Sequence, residues 1–341
     1  MNKGVRDYLI LGVVVAGSVA AGVFLGSSPQ PVGDIWAALL GRNEDAAVRA
    51  ILSIRLQRVG AAAVTGASLA LSGTLFQALL RNPLAEPFLL GVSSGAALGA
   101  VAGLTLAGGA AVSGAAAELI SGAGVPVLAF VGAAVAIAVV FRVAVSVDGL
   151  DTHTLILAGV VVSSFFGAGV MLLLSLARSD SAHAAVMWMM GSFARADTSG
   201  IVLTAGCAIL VGAVALGVAR HLDALALGER AASHLGVNTE GIKRLAYVAA
   251  SLLAAVSVTV AGVVGFVGLV VPHAVRMVWS AGHRTLIPVS MMVGAAGMVA
   301  SDALARTALR PLELPVGVIT ALVGVPFFLY LMRRTRRAGR I

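Results

Sequence analysis

The sequence predicts an all-α polytopic membrane protein with about ten transmembrane helices, and three observations carry that prediction. Hydrophobic residues make up 59% of the 341, with 41 glycines besides. Only 11% of residues are charged, against roughly 25% in ordinary soluble domains, which leaves too little polar surface to cover a water-soluble particle of this size. The apolar residues also come in long runs rather than in the alternating pattern of a β-barrel. At about 20 apolar residues per crossing, there are enough of them for roughly ten helices. The same abundance excludes a disordered chain.

Runs bounded by charges or by Gly/Pro punctuation place the spans near 8–26, 59–80, 87–107, 125–145, 154–176, 201–219, 245–263, 264–279, 286–305 and 315–332. The seventh and eighth are nearly continuous and must be split by a turn near Gly262, Gly265 or Gly268. The first run follows Lys3 and Arg6, as a signal peptide would, but its apolar stretch is too long for a usual signal core, so an uncleaved helix is expected. With ten spans and an inner amino terminus, most lysines and arginines fall on the cytoplasmic side, including Arg81, Arg142, Arg220, Arg230, Lys243, Arg244 and the tail Arg333 to Arg340. Cationic loops resist translocation, so both termini are expected in the cytoplasm. The net charge of +8 therefore reflects membrane orientation, not nucleic-acid binding. The chain reads as one transmembrane domain over 1–341, with a long inner loop at about 220–244.

Gly91, Gly95, Gly99 and Gly103 recur every fourth residue, giving the third span a face where another backbone can approach closely. Gly159, Ser163 and Gly167 form a weaker ladder on the fifth.

Chemistry is sparse. The two lysines, Lys3 and Lys243, are neither preceded by glycine nor followed by a hydroxyl residue, so no phosphate-binding P-loop exists. The six histidines are scattered, and Cys207 is the single cysteine, so neither a metal site nor a catalytic constellation is expected. Pro272 and His273 read as a kink and a carbonyl partner rather than as catalytic groups. Two loops are richer than connectors need. Arg81 to Pro87 carries two prolines that stiffen an inner turn, as either a plain hairpin or a pore plug. In the 220–244 loop, Leu225, Ala232 and Leu235 fit one face of a short helix beside Glu229 and Arg230, ended by Gly236. Such a helix suits a partner protein or the lipid headgroups equally.

The stretch Gly-Thr-Leu-Phe-Gln-Ala-Leu-Leu-Arg-Asn-Pro-Leu-Ala-Glu-Pro-Phe-Leu-Leu-Gly-Val-Ser-Ser-Gly-Ala, 73–96, resembles the signature of permease subunits of type II ABC importers, the family for ferric siderophores, haem and cobalamin. Leu235-Gly236, the run 268–276 followed by His283-Arg284, and Glu-Leu-Pro-Val-Gly at 313–317 resemble that family too. The resemblance covers essentially the whole chain. It implies a permease without catalysis of its own, paired with a second copy, standing on two separate ATPase subunits that hold ATP and magnesium. A periplasmic or lipid-anchored binding protein would deliver the chelate. It implies an ATPase-coupling helix at Ala224 to Gly236 (Leu225, Leu227, Gly228, Glu229, Arg230, Ala232, Leu235, Gly236) and cytoplasmic gates at Asn82, Leu84 and Thr152. Arg55, Arg58 and Arg306 would meet acidic knobs of the binding protein, with Arg310 as substitute for or reinforcement of Arg306, and Gln57 stands where the family usually has proline. Ser163, Gly167, Trp188, Met189 and Met190 would border the substrate path, lined by the fifth and tenth spans. The competing classes are a stand-alone secondary carrier or channel, which would transport without companions, and a membrane enzyme.

Overall fold

The computed structural model describes residues 3–108, 124–147, 149–279 and 282–337; Arg340 lies outside them. The chain opens with α1 (Lys3–Phe24), a short α2 (Val32–Leu39) and the long α3 (Ala46–Leu79). A 3-10 turn, Pro87–Leu90, leads into α4 (Val92–Gly108), followed by α5 (Val125–Ala144). A tiny antiparallel hairpin, β1 (Val145–Ser146) with β2 (Gly149–Leu150), pairs Val145 with Leu150 and Ser146 with Gly149. Then come α6 (Thr152–Leu176), α7 (Ser179–Met189), α8 (Thr198–Gly217), α9 (Ala219–Ala226) and α10 (Glu229–His234). The chain finishes with α11 (Thr239–Ala261), α12 (Val267–Trp279), α13 (His283–Thr307) and α14 (Val316–Arg337).

Six helices, α3, α5, α6, α8, α11 and α13, are long and apolar enough to cross a membrane, and α1, α4, α12 and α14 contain shorter apolar stretches. These ten coincide with the ten spans read from the sequence. Their arrangement follows from where small residues fall. In α3, 78% of the most apolar stretch is buried, against 28% in α5, α6 and α8, so α3 is the central post and the others are peripheral. Gly66 and Gly73 of α3 lie directly against the backbones of Gly294 on α13 and Gly268 on α12. The glycine ladder of α4 works as expected at its middle: Gly95 faces the backbone of Gly132 and Gly99 that of Leu128, both on α5, where any Cβ would collide. The weaker ladder does not hold together. Gly159 packs on Leu89 and Leu90, while Gly167 has open space beside it.

The predicted split between the seventh and eighth spans falls at 262–266. Gly262 takes φ 69°, and Phe266, a non-glycine, takes φ 70°. Glu86 stabilises this interruption: its carboxylate accepts a hydrogen bond from the Phe266 N–H at 2.6 Å, satisfying an amide beside the start of α12. In the sequence Glu86 is one residue of the stiff Arg81 to Pro87 loop, and nothing there marks an amide 180 residues away as its partner.

Candidate functional site

Arg58 and Arg81 bracket the last stretch of α3, which is about 30 Å long at 1.5 Å per residue, the thickness of a hydrocarbon core. A cluster of charged side chains sits at each end.

At the C-terminal end of α3, four segments converge. Arg81 has φ 48°, and Asn82 turns its side-chain oxygen back to accept the Leu84 N–H at 2.9 Å. Asn82 is therefore a shaping residue of this stiff loop: it is exposed, while Leu84 is half-buried. His273 on α12 lies close to the backbone of Pro83 in this loop. The second segment is the hairpin and Asp151, whose carboxylate caps α6 through the Thr154 N–H at 2.9 Å. Thr152 follows as the first residue of α6.

The remaining segments are α9 and α10. The expected single helix, Ala224 to Gly236, is instead two, broken at Leu227-Gly228, where Gly228 takes φ 110°, a backbone state that favours glycine. The break changes which residues share a face. Leu225 and Ala232 are buried, but Leu227 and Leu235 stand 71% and 66% exposed on the outside. Gly236 ends α10 as expected, with φ 79° and a Val237 N–H to Ala232 carbonyl bond of 3.1 Å. Arg230 is exposed. Glu229 instead reaches Lys243 at 3.0 Å and Arg81 at 3.5 Å. Asp223 of α9 accepts the His283 N–H at 2.9 Å, joining α9 to the start of α13.

At the N-terminal end of α3 the expected basic docking face is internal. Arg55, Arg58 and Arg306 are only 4%, 8% and 2% exposed. Arg55 donates to the carbonyls of Val23 at 3.0 Å, Phe24 at 3.1 Å and Ser28 at 2.7 Å. Arg306 donates to Leu25 and Gly22 carbonyls, each at 2.9 Å. The first two Arg55 acceptors and both Arg306 acceptors belong to the carboxyl end of α1 or just beyond, where helix carbonyls lack partners. Arg58 and Arg306 share Asp302, each at 2.9 Å, and Arg58 also meets Glu313 at 2.7 Å. A partner reading these arginines would have to displace acids and carbonyls already in place. Arg310 is exposed at this end, as is Gln57.

Of the path residues, Ser163, Gly167, Trp188, Met189 and Met190 are all half-buried. The Met190 and Gly191 carbonyls accept the N–H groups of Gly317 and Val316, at 3.2 and 3.1 Å, so the 188–191 corner anchors the start of α14. No group of metal-ligating side chains occurs among the described residues.

This architecture has close counterparts. The model of the FecCD transport family matches residues 12–334. The cobalamin import system permease protein BtuC of Halobacterium salinarum is 40% identical over 282 residues, covering 82% of this chain and 72% of that one. The hemin transport system permease protein HmuU of Yersinia pestis is 38% identical over 285 residues, 84% of this chain and 83% of its own. An inward-facing structure of a metal-chelate type ABC transporter superposes with a TM-score of 0.80 at 29% identity, over 95% of this chain and 97% of that one. With ten apolar helices in the expected order and a family match over nearly all its length, this chain belongs to the FecCD transport family of ABC importer permeases.

Proposed function

We propose that the chain conducts a metal chelate (ferric siderophore, cobalamin or haem) from a periplasmic or lipid-anchored binding protein to the cytoplasm, with no catalysis of its own. The work comes from two separate ATPase subunits carrying ATP and magnesium, seated against α9 and α10. The observation that carries this reading is the pair of exposed leucines, Leu227 and Leu235, on a short charged element beside both candidate gate loops. Large apolar side chains held out on such an element suit a protein cleft better than open water. The end holding α9, α10, the start of α1 and the end of α14 is then cytoplasmic, as are both termini. A second copy would pair along the apolar faces that α6 and α14 leave exposed, such as Leu157, Phe165 and Leu322, around a path bordered by Ser163, Gly167 and Trp188 to Met190, with Asn82, Leu84 and Thr152 at its inner mouth. At the opposite end, Arg310 is an accessible cation for acidic groups of a binding protein, with Arg55, Arg58 and Arg306 behind it.

Replacing 228–235 with a neutral linker tests the reading. The complex should insert normally but lose ATP hydrolysis stimulated by binding protein loaded with ferric hydroxamate, cobalamin or haemin. Undiminished stimulation would refute the coupling role. Accumulation of solute by the isolated chain in sealed vesicles would instead favour a secondary carrier.

A further inference from the structure

We propose that Lys243 is the positioning residue through which the coupling helix α10 sets both gate loops together. This rests on the importer reading above and names a part that neither the fold nor that reading requires.

Lys243 lies in the first turns of α11 with its side chain 6% exposed. An ammonium has three donors and no acceptor, so a buried one needs three acceptors around it. It has them: the Leu150 carbonyl at 2.8 Å, Glu229 at 3.0 Å and Glu240 at 3.3 Å. They come from three elements: β2, α10 and α11 itself. Glu240 in turn accepts the Leu150 N–H, with its two oxygens at 2.9 and 3.0 Å. Both backbone groups of Leu150, two residues before Thr152, are therefore clamped by the first turns of α11. Gly149 has φ 112°, and a Cβ there would meet the Glu240 carboxylate, so the clamp leaves no room for a side chain. The other oxygen of Glu229 reaches Arg81, which adjoins Asn82 and lies three residues from Leu84.

Glu229 is thus the described side chain of α10 linked to both candidate gates: to Arg81 by a direct ion pair, and to Leu150 through Lys243, whose ammonium also holds the Glu229 carboxylate within reach of Arg81, so that both links depend on it. A displacement of α10 must either carry Arg81 and the Leu150–Thr152 segment with it or break these pairs. Lys243 is the member that cannot be replaced by water, because it is the buried one. A lysine suits the position for a geometric reason: a compact ammonium reaches three divergent acceptors, which a planar guanidinium cannot do from the same point.

The test uses the permease assembled with its ATPase subunits, in a Cys207→Ser background, with a single reporter, Leu84→Cys or Thr152→Cys. Labelling rates with a water-soluble maleimide are compared without nucleotide and with ATP and magnesium. In the parent complex, ATP should change the rate at both reporters. Lys243→Met, which keeps length and removes charge, should abolish the change at both. Glu229→Gln, at a half-exposed site, should do the same, and the double variant should be no worse than either single one, as expected of residues acting through one contact. An unaltered ATP response in Lys243→Met or Glu229→Gln overturns the proposal, as does loss at one reporter alone. Detachment of the ATPase subunits from the Lys243→Met permease would assign the residue to assembly and overturn it likewise. A parent complex whose reporters ignore ATP refutes the importer reading itself, and this proposal falls with it.

Discussion

The charged clusters at the two ends of α3 use the same residue types and are built in opposite ways. At the N-terminal end, Arg55, Arg58, Arg306 and Asp302 are all 8% exposed or less, and most arginine donors are spent on carbonyls and carboxylates. At the C-terminal end, the side chains of Arg81, Glu229 and Glu240 keep 39%, 36% and 31% of their surface, and of these four linked groups Lys243 alone is buried. Burial decides what each can do. A dry ion cluster is costly to open, because parting one pair strands a charge out of water. A half-wet cluster exchanges its pairs for water at little cost. The first is a staple that fixes the end of α1 to α3 and α13; the second is an articulation between α10 and two loops.

Removing the shared acid of the staple should have the largest effect. Asp302→Ala leaves Arg58 and Arg306 facing each other with one carboxylate gone, at a cost of about 3–5 kcal/mol. Thermal unfolding of the purified permease measures this, and a melting temperature equal to the parent's would show that the cluster is not a dry one. Arg55→Met comes next, at about 2–3 kcal/mol, because three carbonyls lose a charged donor. Its signature is local: faster hydrogen exchange over 20–28, with α3 unaffected.

The sequence made the ten spans legible because each is an apolar run longer than a soluble helix needs, and the ladder at Gly95 and Gly99 announced a close helix neighbour. Gly236 was legible as a helix stop. The staple was not. The acids meeting Arg58 lie 244 and 255 residues away along the chain, and the acceptors of Arg55 are backbone carbonyls, which carry no residue signature. Exposed arginines and carbonyl-bound arginines look identical in a sequence. The break in α9–α10 depended on the φ of Gly228, whereas composition alone favoured one helix. Lys243 left a faint signal: one of only two lysines, it lies three residues after Glu240, on the same helix face. Its partners Leu150 and Glu229 could not be read that way.

Glu313 sits at the wet edge of the staple, with its side chain 32% exposed, and it sharpens the contrast through pH. Burial by itself would push its carboxyl up; the hydrogen bonds from Arg58 and Ser27 and the charge of Arg58 outweigh that and hold it below its ordinary value. A carboxyl depressed in the folded state contributes stability at pH above its unfolded value, near 4.3, and loses it as pH falls through the lower folded value. Glu313→Gln should therefore cost about 1 kcal/mol at neutral pH. The gap to the parent should hold steady down to about pH 5 and close only below about pH 4. A gap that shrinks between pH 7 and 5 would contradict the sign of the shift.

The smallest effect on stability is expected from Glu229→Gln, even though this residue sits at the centre of the articulation. Its pairs with Lys243 and Arg81 are at 3.0 and 3.5 Å, but its side chain is 36% exposed, so water can replace the carboxylate's partners. The cost should be no more than about 0.2–1 kcal/mol. Salt gives the cleaner discrimination, because the screening length falls from about 10 Å at 0.1 M to about 3 Å at 1 M. Raising salt over that range should erase the difference between Glu229→Gln and the parent while leaving the Asp302→Ala penalty nearly unchanged, since mobile ions do not enter a buried cluster. Melting curves of the two variants at both salt concentrations make the comparison. A Glu229→Gln penalty that survives high salt would mean that this end of α3 is stapled too, its pairs as costly to part as those of Arg58 and Arg306.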